Sequence, residues 1–248
     1  METTFSGSKL IMYPSFGDVF ETDDLLGVFY PLCTVVDERH GPLHFVSSNG
    51  LWMDDTFATD ANTHAFTVFR VVEGKYQFDG DLRLYTGAGQ AKSIFPLLEE
   101  DLAAHGDQYL AGTDGSQAWY GGGKEEAEAY VERMRGVLPD PVDGFDMDYY
   151  LETFYAFSSY KRNYSLTGKF RSDISVRHRV GGGHVVSGTA DGYTMEMLWT
   201  EDGTEPTLLD NRVDIGMVIG SEFFQDGNDA ALYYGPDSST ALIVNCYS

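Results

Sequence analysis

The stretch RHRVGGGH, residues 177–184, is a basic strand pattern that runs into three consecutive glycines. A looser copy, RHGPLH, occupies residues 39–44, and both copies share the pattern Arg-x-Gly-x-x-His. Each copy continues into a short apolar run, residues 45–47 in one case and 185–187 in the other. Glycine adopts the backbone conformations that tight turns require, so each copy predicts a β-hairpin. We therefore predict two related β-rich blocks, one towards each end of the chain.

Alternation of apolar and polar residues predicts short strands throughout both blocks. Pro31 interrupts the first strong pattern, residues 25–36, and predicts a bulge or an edge position there. Asp-Gly turns after residues 78 and 225 give a second internal match, between residues 79–87 and 226–235; Asp-Gly turns between alternating strands also look alike without duplication. The other predicted strands are 10–13, 43–47, 63–72, 75–78, 81–86, 168–180, 185–187, 193–199, 208–219, 230–234 and 240–247.

The hydrophobic period lengthens to that of a helix between the two blocks. Residues 96–106 predict a helix with Pro96 in its first turn, and residues 124–137 predict a second. Residues 146–160 predict a third, with Asp146 as its N-cap. The sequence thus predicts one α+β domain over residues 1–248. It is mainly antiparallel β, barrel- or sandwich-like, with β-blocks at 9–87 and 166–248 and a helical insertion at about 90–160.

The net charge of −23, from 39 acidic and 16 basic residues, limits the partners. Such a surface repels phosphate backbones and anionic lipids, so we expect neither nucleic acid nor membrane as a partner. The partners that we expect are therefore a small-molecule ligand or a basic protein. The two cysteines form no disulfide framework, and no leader or membrane-spanning run is visible, so we expect a soluble cytoplasmic protein.

The candidate binding site is centred on the basic stretch. Arg177 and Arg179 share one strand face, while Gly182 and Gly183 allow backbone N–H groups to approach an anion closely. His184 follows directly, and the first copy offers Arg39 and His44 as a possible second site. The alternative is that these arginines pair with neighbouring acids on a solvated sheet face.

An aromatic and methionine face follows the basic stretch. Tyr193, Met195, Met197 and Trp199 alternate along one strand pattern. In a curved sheet such a face lines either a packed core or a pocket for an apolar ligand. We include Tyr193 and Trp199 among the candidate ligand-binding residues.

Motifs for catalysis, metals and phosphate are incomplete. Residues 139–150 lack the acids and the final glutamate of a calcium-binding loop, and GGGK at 121–124 lacks the flanking residues of a phosphate loop. His44 and His184 could act as an acid–base pair, yet each could equally bond the backbone at a strand start. We therefore predict no metal, no cofactor and no catalytic residues.

Two families resemble parts of this chain. The C-terminal strand series resembles calycin (lipocalin-like) barrels, and residues 168–170 (GKF) are similar to their Gly-x-Trp opening. This resemblance implies an up-and-down barrel that holds a small, mostly apolar molecule. Residues 178–182 and 227–234 are similar to two motifs of the uncharacterised YwqG-like bacterial proteins, although the Asp and second Gly of the latter motif are missing.

These features together predict a non-catalytic binding protein with a pocket for a small, mostly apolar or anionic ligand. One alternative is an acidic, inhibitor-like protein that masks a basic protein partner through charge complementarity. A second alternative is an enzyme that uses His44 and His184 as acid and base.

Overall fold

The computed structural model describes residues 3–5, 8–110, 124–168 and 211–246. Its strands are β1 (Thr3–Phe5), β2 (Ser8–Met12), β3 (Tyr30–Asp37), β4 (Gly41–Ser47), β5 (Phe66–Val72), β6 (Lys75–Phe78), β7 (Val213–Val218), β8 (Asp229–Gly235) and β9 (Thr240–Cys246). Its α-helices are α1 (Phe16–Val19), α2 (Ala88–His105), α3 (Lys124–Arg135) and α4 (Met147–Thr167).

The strands form two antiparallel sheets, which confirms the predicted α+β fold. The first sheet has the order β1-β2-β3-β4 and the second has the order β6-β5-β9-β8-β7. β4 packs against β8 and β9, so the sheets meet in a sandwich-like arrangement and the described strands do not close into a barrel. The second sheet combines strands from both ends of the chain, because Phe66 of β5 lies opposite Val244 of β9.

The β3–β4 hairpin is predicted well except at its start. The pairing register shifts between Pro31 and Cys33, which is the bulge that the proline predicted. The strand begins at Tyr30, however, and not at residue 25. Residues Asp23–Leu25 form a 3-10 turn, and Gly27 has a φ of +76°. This apolar segment is therefore buried as a turn, which alternation alone cannot distinguish from a strand.

The predicted strand at residues 81–86 is wrong. Leu82–Leu84 form a 3-10 helix, and the Asp81 side chain caps it by accepting a hydrogen bond from the Arg83 N–H. This local hydrogen bond competes with strand pairing. The supposed counterpart is the true strand β8, so the match between residues 79–87 and 226–235 does not extend to structure.

The predicted helical segment is present, with different bounds. α2 begins at Ala88, so Pro96 lies inside it and not in its first turn; buried Ile94 and Leu98 on either side hold the helix in the core. Asp146 caps α4 as predicted, accepting from the Tyr149 N–H. Among the helices that the structure describes, none is long and apolar enough to cross a membrane.

The core is rich in aromatic side chains. Tyr150 and Phe154 of α4 are buried, as are Phe69 and Tyr76 of the second sheet, which stack with ring centroids 5.1 Å apart. The predicted strands at 168–180, 185–187 and 193–199 lie outside the described residues apart from Gly168, which ends α4 in the left-handed conformation.

Candidate functional site

Most residues of the sequence-predicted site lie outside the described ranges. These residues are Arg177, Arg179, Gly182, Gly183, His184, Tyr193 and Trp199. Arg39 is described, and it lies in the exposed turn between β3 and β4. β4 then spans seven residues to Ser47. At about 3.3 Å per residue, Arg39 therefore lies roughly 20 Å from the far end of the strand.

His44 is held in the core. It is 2% exposed, and its Nδ1 lies 2.7 Å from the Thr34 hydroxyl. Its Nε2 lies 2.7 Å from the Gly74 carbonyl oxygen, which can only accept, so Nε2 carries the proton and Nδ1 accepts from Thr34. Burial lowers the pKa of the imidazole, which favours this neutral form. Because both ring nitrogens bond to the protein, this conformation gives His44 a structural role.

A cavity of about 430 Å³ lies at the opposite end of β4. The loop after β4, the first turn of α4 and the residues that begin β8 converge around it. We call it the inter-sheet pocket, and we define it by Asn49, Trp52, His64, Tyr149, Asp226, Asn228 and Asp229. Within the described chain, no lysine or arginine lines this pocket.

A polar cluster forms the floor of the pocket. The amide nitrogen of Asn49 donates to both carboxylate oxygens of Asp226, at 3.0 and 3.2 Å. The Tyr149 hydroxyl lies 2.8 Å from Oδ1 of Asn49 and 2.9 Å from Oδ2 of Asp226, so two acceptors share one hydrogen. Asn228 also donates to Asn49 Oδ1. Asn49 is 6% exposed, and its contacts fix the Asp226 carboxylate in one orientation.

An aromatic pair stands at the rim. The rings of Trp52 and Tyr149 are 5.2 Å apart at an interplanar angle of 32°. The indole N–H of Trp52 donates to Oδ2 of Asp146 at 3.1 Å, while Oδ1 of the same carboxylate caps α4. Trp52 is nevertheless 58% exposed. The indole is thus oriented by the protein while much of its surface stays accessible to a ligand.

Asp229 adds a second carboxylate to the wall. Its Oδ1 accepts a hydrogen bond from the Gly220 N–H at 2.7 Å. Burial raises the pKa of this carboxyl to about 6, although the Gly220 hydrogen bond opposes the shift. A Cβ at Gly220 would lie 2.2 Å from the Asn228 carbonyl oxygen, so this close approach requires glycine.

His64 lies on the exposed side of the pocket. Its Nδ1 is 2.5 Å from Oδ2 of Asp55, and both side chains are more than half exposed. Within residues 8–110, 124–168 and 211–246, no group of three or more His, Cys, Asp or Glu side chains could hold a metal ion. The described pocket therefore offers aromatic surface, amides and carboxylates, a combination suited to a cationic or hydroxylated ligand.

The sequence reasoning missed this pocket. It treated residues 226–227 (DG) as a turn and assigned no role to Trp52 or to Asn49. The available signals were polar residues concentrated at strand ends and a tryptophan in a polar loop. These signals do not show that the three segments meet, because residue 49 and residue 226 are brought together only by packing of β4 against β8.

Comparisons of this chain with protein-family models, with curated proteins and with solved structures find no match. The calycin and YwqG-like resemblances therefore stay predictions. The candidate site rests on the geometry of the described residues.

Proposed function

We propose that this protein is a non-catalytic binding protein whose inter-sheet pocket takes a small ligand carrying an ammonium group. The observation that carries the proposal is the Asp226 carboxylate, fixed by Asn49 and Tyr149 beneath an exposed Trp52. A carboxylate and an aromatic face at one opening are complementary to a cation.

The charge around the pocket supports a cation over an anion. Asp226 on the floor and Asp229 on the wall both line the pocket, and Asp146 holds the Trp52 indole. No described lysine or arginine is part of the lining. The sequence-predicted preference for an anionic ligand depended on Arg177 and Arg179, and that for an apolar ligand depended on the face that carries Tyr193 and Trp199. All four residues lie outside the described ranges. A cation–aromatic contact at an exposed ring such as that of Trp52 contributes about 0.5–1 kcal/mol, and a fixed carboxylate adds Coulomb attraction.

The binding role of the pocket fits the way its polar atoms are used. Asn49, Tyr149 and Asp226 bond to one another, which orients the cluster before any ligand arrives. Preorganisation of this kind lowers the cost of binding. His44, the described member of the predicted acid–base pair, is bonded to Thr34 and Gly74 in the core and not exposed in the pocket.

Isothermal titration with choline tests the proposal. The matched ligand is its uncharged carbon analogue, in which a tert-butyl group replaces the trimethylammonium group. We expect choline to bind at least about tenfold more tightly, because only the cation gains from the carboxylates and the aromatic face. Equal affinity of the two ligands, or no binding of either, would contradict the proposal.

Two aspartate variants separate local from overall charge. Asp226→Asn removes the floor carboxylate, whereas Asp237→Asn removes the same charge from the exposed turn after β8. We expect Asp226→Asn to weaken choline binding about tenfold or more and Asp237→Asn to leave it unchanged. Circular dichroism of both variants checks that the fold is retained.

The second candidate function is masking of a basic protein partner, and the net charge of −23 favours it. Equal weakening of choline binding by Asp226→Asn and Asp237→Asn would show that overall charge governs cation attraction. That result would support the masking function over a pocket for a small ligand, because diffuse electrostatic attraction depends on net charge and not on one site.

A further inference from the structure

A second cavity, of about 410 Å³, lies between α2, α4 and the start of β3. We call it the helix-side cavity. It shares no lining residue with the inter-sheet pocket. Its walls are mainly apolar, and they include six aromatic side chains, those of Phe16, Phe29, Tyr30, Phe95, Phe154 and Phe157. A cavity of this size with such walls suits the apolar body of a small molecule.

The rim of the helix-side cavity carries two consecutive cations of α4. The Lys161 ammonium lies 6.0 Å from the Phe157 ring centroid, which places it over the aromatic wall. The Arg162 guanidinium pairs with Asp107 through one terminal nitrogen. Its Nε is buried and, in the part of the chain that the structure describes, has no hydrogen-bond partner. Two adjacent cationic side chains are unusual in a chain whose net charge is −23.

We propose that the helix-side cavity is a second binding site, for an apolar molecule that carries a single carboxylate. The apolar body would lie against Phe95, Phe154 and Phe157, and the carboxylate would meet Lys161 and Arg162 at the rim. A carboxylate at this position accepts charge-assisted hydrogen bonds from the Lys161 ammonium and from the accessible part of the Arg162 guanidinium.

Glu99 of α2 also lines the cavity, and it restricts the class of ligand. Its carboxylate would repel a second negative charge, so a dianion fits this site less well than a monoanion with an apolar tail. Because Glu99 also repels the single carboxylate of the ligand, the Glu99→Gln variant should bind the monoanion more tightly than the natural protein does.

Isothermal titration with decanoate and decanol tests the proposal. The two molecules have the same chain length and differ in the charge of the head group. We expect decanoate to bind about tenfold more tightly than decanol, the ratio that corresponds to one charge-assisted hydrogen bond. Equal or tighter binding of decanol, or no binding of either, would overturn the assignment.

Variants locate the bound molecule. Lys161→Ala removes an exposed rim cation and should weaken decanoate binding about tenfold without changing decanol binding. Lys92→Ala is the matched control, because Lys92 pairs with Asp24 and does not line the cavity. Equal weakening by both variants would show a general charge effect and refute the site.

A blocking variant tests the cavity itself. Leu102 lines the cavity from α2 and is only partly buried, so Leu102→Trp adds bulk at the opening. We expect it to abolish binding of both probes, whereas Asp226→Asn in the inter-sheet pocket should leave decanoate binding unchanged. Decanoate affinity unaffected by Leu102→Trp would place the molecule elsewhere and disprove the proposal.

Discussion

The two cavities have nearly equal volumes, about 430 and 410 Å³, and opposite chemistry. The inter-sheet pocket has a floor of bonded amides and carboxylates beneath one aromatic pair. The helix-side cavity has aromatic walls and two cations at its rim. α4 contributes to both, with Tyr149 at its first turn in one and Phe154, Phe157 and Lys161 further along in the other. One helix therefore lines two cavities that differ in the charged side chains around them.

The difference shows that net charge does not determine the character of a local site. With 39 acidic residues, any rim in this protein would be acidic by default. The helix-side cavity departs from this default because Lys161 and Arg162 line it beside a single carboxylate, Glu99. The inter-sheet pocket is acidic, as the net charge would suggest, but its Asp226 carboxylate is also held in place by hydrogen bonds from neighbouring side chains.

The largest effect should come from removing the aromatic wall of the helix-side cavity. Phe154 is 1% exposed, and its ring meets those of Phe95 and Tyr130 at 5.7 and 6.4 Å. We expect Phe154→Ala to lower the free energy of unfolding by about 3–5 kcal/mol, because it deletes a buried ring and enlarges the cavity. Urea denaturation measures this loss.

Phe154→Leu is the matched control, since it keeps most of the apolar volume and should cost about 1–2 kcal/mol. A loss below about 1 kcal/mol for Phe154→Ala would show that this wall is not part of the packed core. Choline binding at the inter-sheet pocket should survive in either variant under conditions where it remains folded.

The next effect concerns Asp229, whose pKa of about 6 lies above its ordinary value of 3.8. A carboxyl with a raised pKa favours folding in its protonated form. Its contribution to stability is complete below pH 3.8 and is lost as the pH rises through 6. The loss is about 2–3 kcal/mol. Asp229→Asn stays neutral and keeps an acceptor for the Gly220 N–H, so it should remove this part of the pH dependence.

Urea denaturation at about pH 4, 6 and 8 checks this expectation, with Asp237→Asn as the control of equal charge. Asp229→Asn should exceed the natural protein in stability at the highest pH and should show a smaller change between the two lower values. Choline binding by the natural protein should strengthen over the same interval as Asp229 ionises. Parallel pH profiles for the two variants would contradict the burial of this carboxyl.

The fold was predictable where periodicity and turn chemistry coincide. The proline-associated bulge of β3, the pairing of β5 with β6 across the two residues between the predicted strands 63–72 and 75–78, and the Asp146 cap of α4 all follow from local physics. The strand assignment at residues 81–86 failed because an aspartate cap stabilises a 3-10 helix there. The pairing of β5 with β9 could not be predicted, because it joins segments from opposite ends of the chain and no local pattern encodes that distance.

The inter-sheet pocket was beyond the reach of local patterns for the same reason. Its cluster joins Asn49, Tyr149 and Asp226, which come from three segments separated by long stretches of chain. Lys161 and Arg162 precede the basic stretch at residues 177–184, on which the sequence-predicted site was centred, but the sequence analysis assigned them no role. Charge clusters are readable from sequence, whereas the walls that give them a function depend on tertiary packing.

The smallest effect should come from the Tyr149 hydroxyl, the group that links the aromatic rim to the carboxylate floor. Tyr149→Phe keeps the ring beside Trp52 and removes the hydrogen that Asn49 and Asp226 share. Loss of this partner should lower the free energy of unfolding by about 1 kcal/mol. It should weaken choline binding a few-fold, because the Asp226 carboxylate loses one of its fixed contacts, and it should leave decanoate binding unchanged.

Tyr155→Phe is a suitable control, since the Tyr155 hydroxyl donates to the Tyr109 carbonyl away from both cavities. If Tyr155→Phe weakened choline binding as much as Tyr149→Phe did, the effect would reflect general loosening of α4, and the orienting role of the Tyr149 hydroxyl would be refuted.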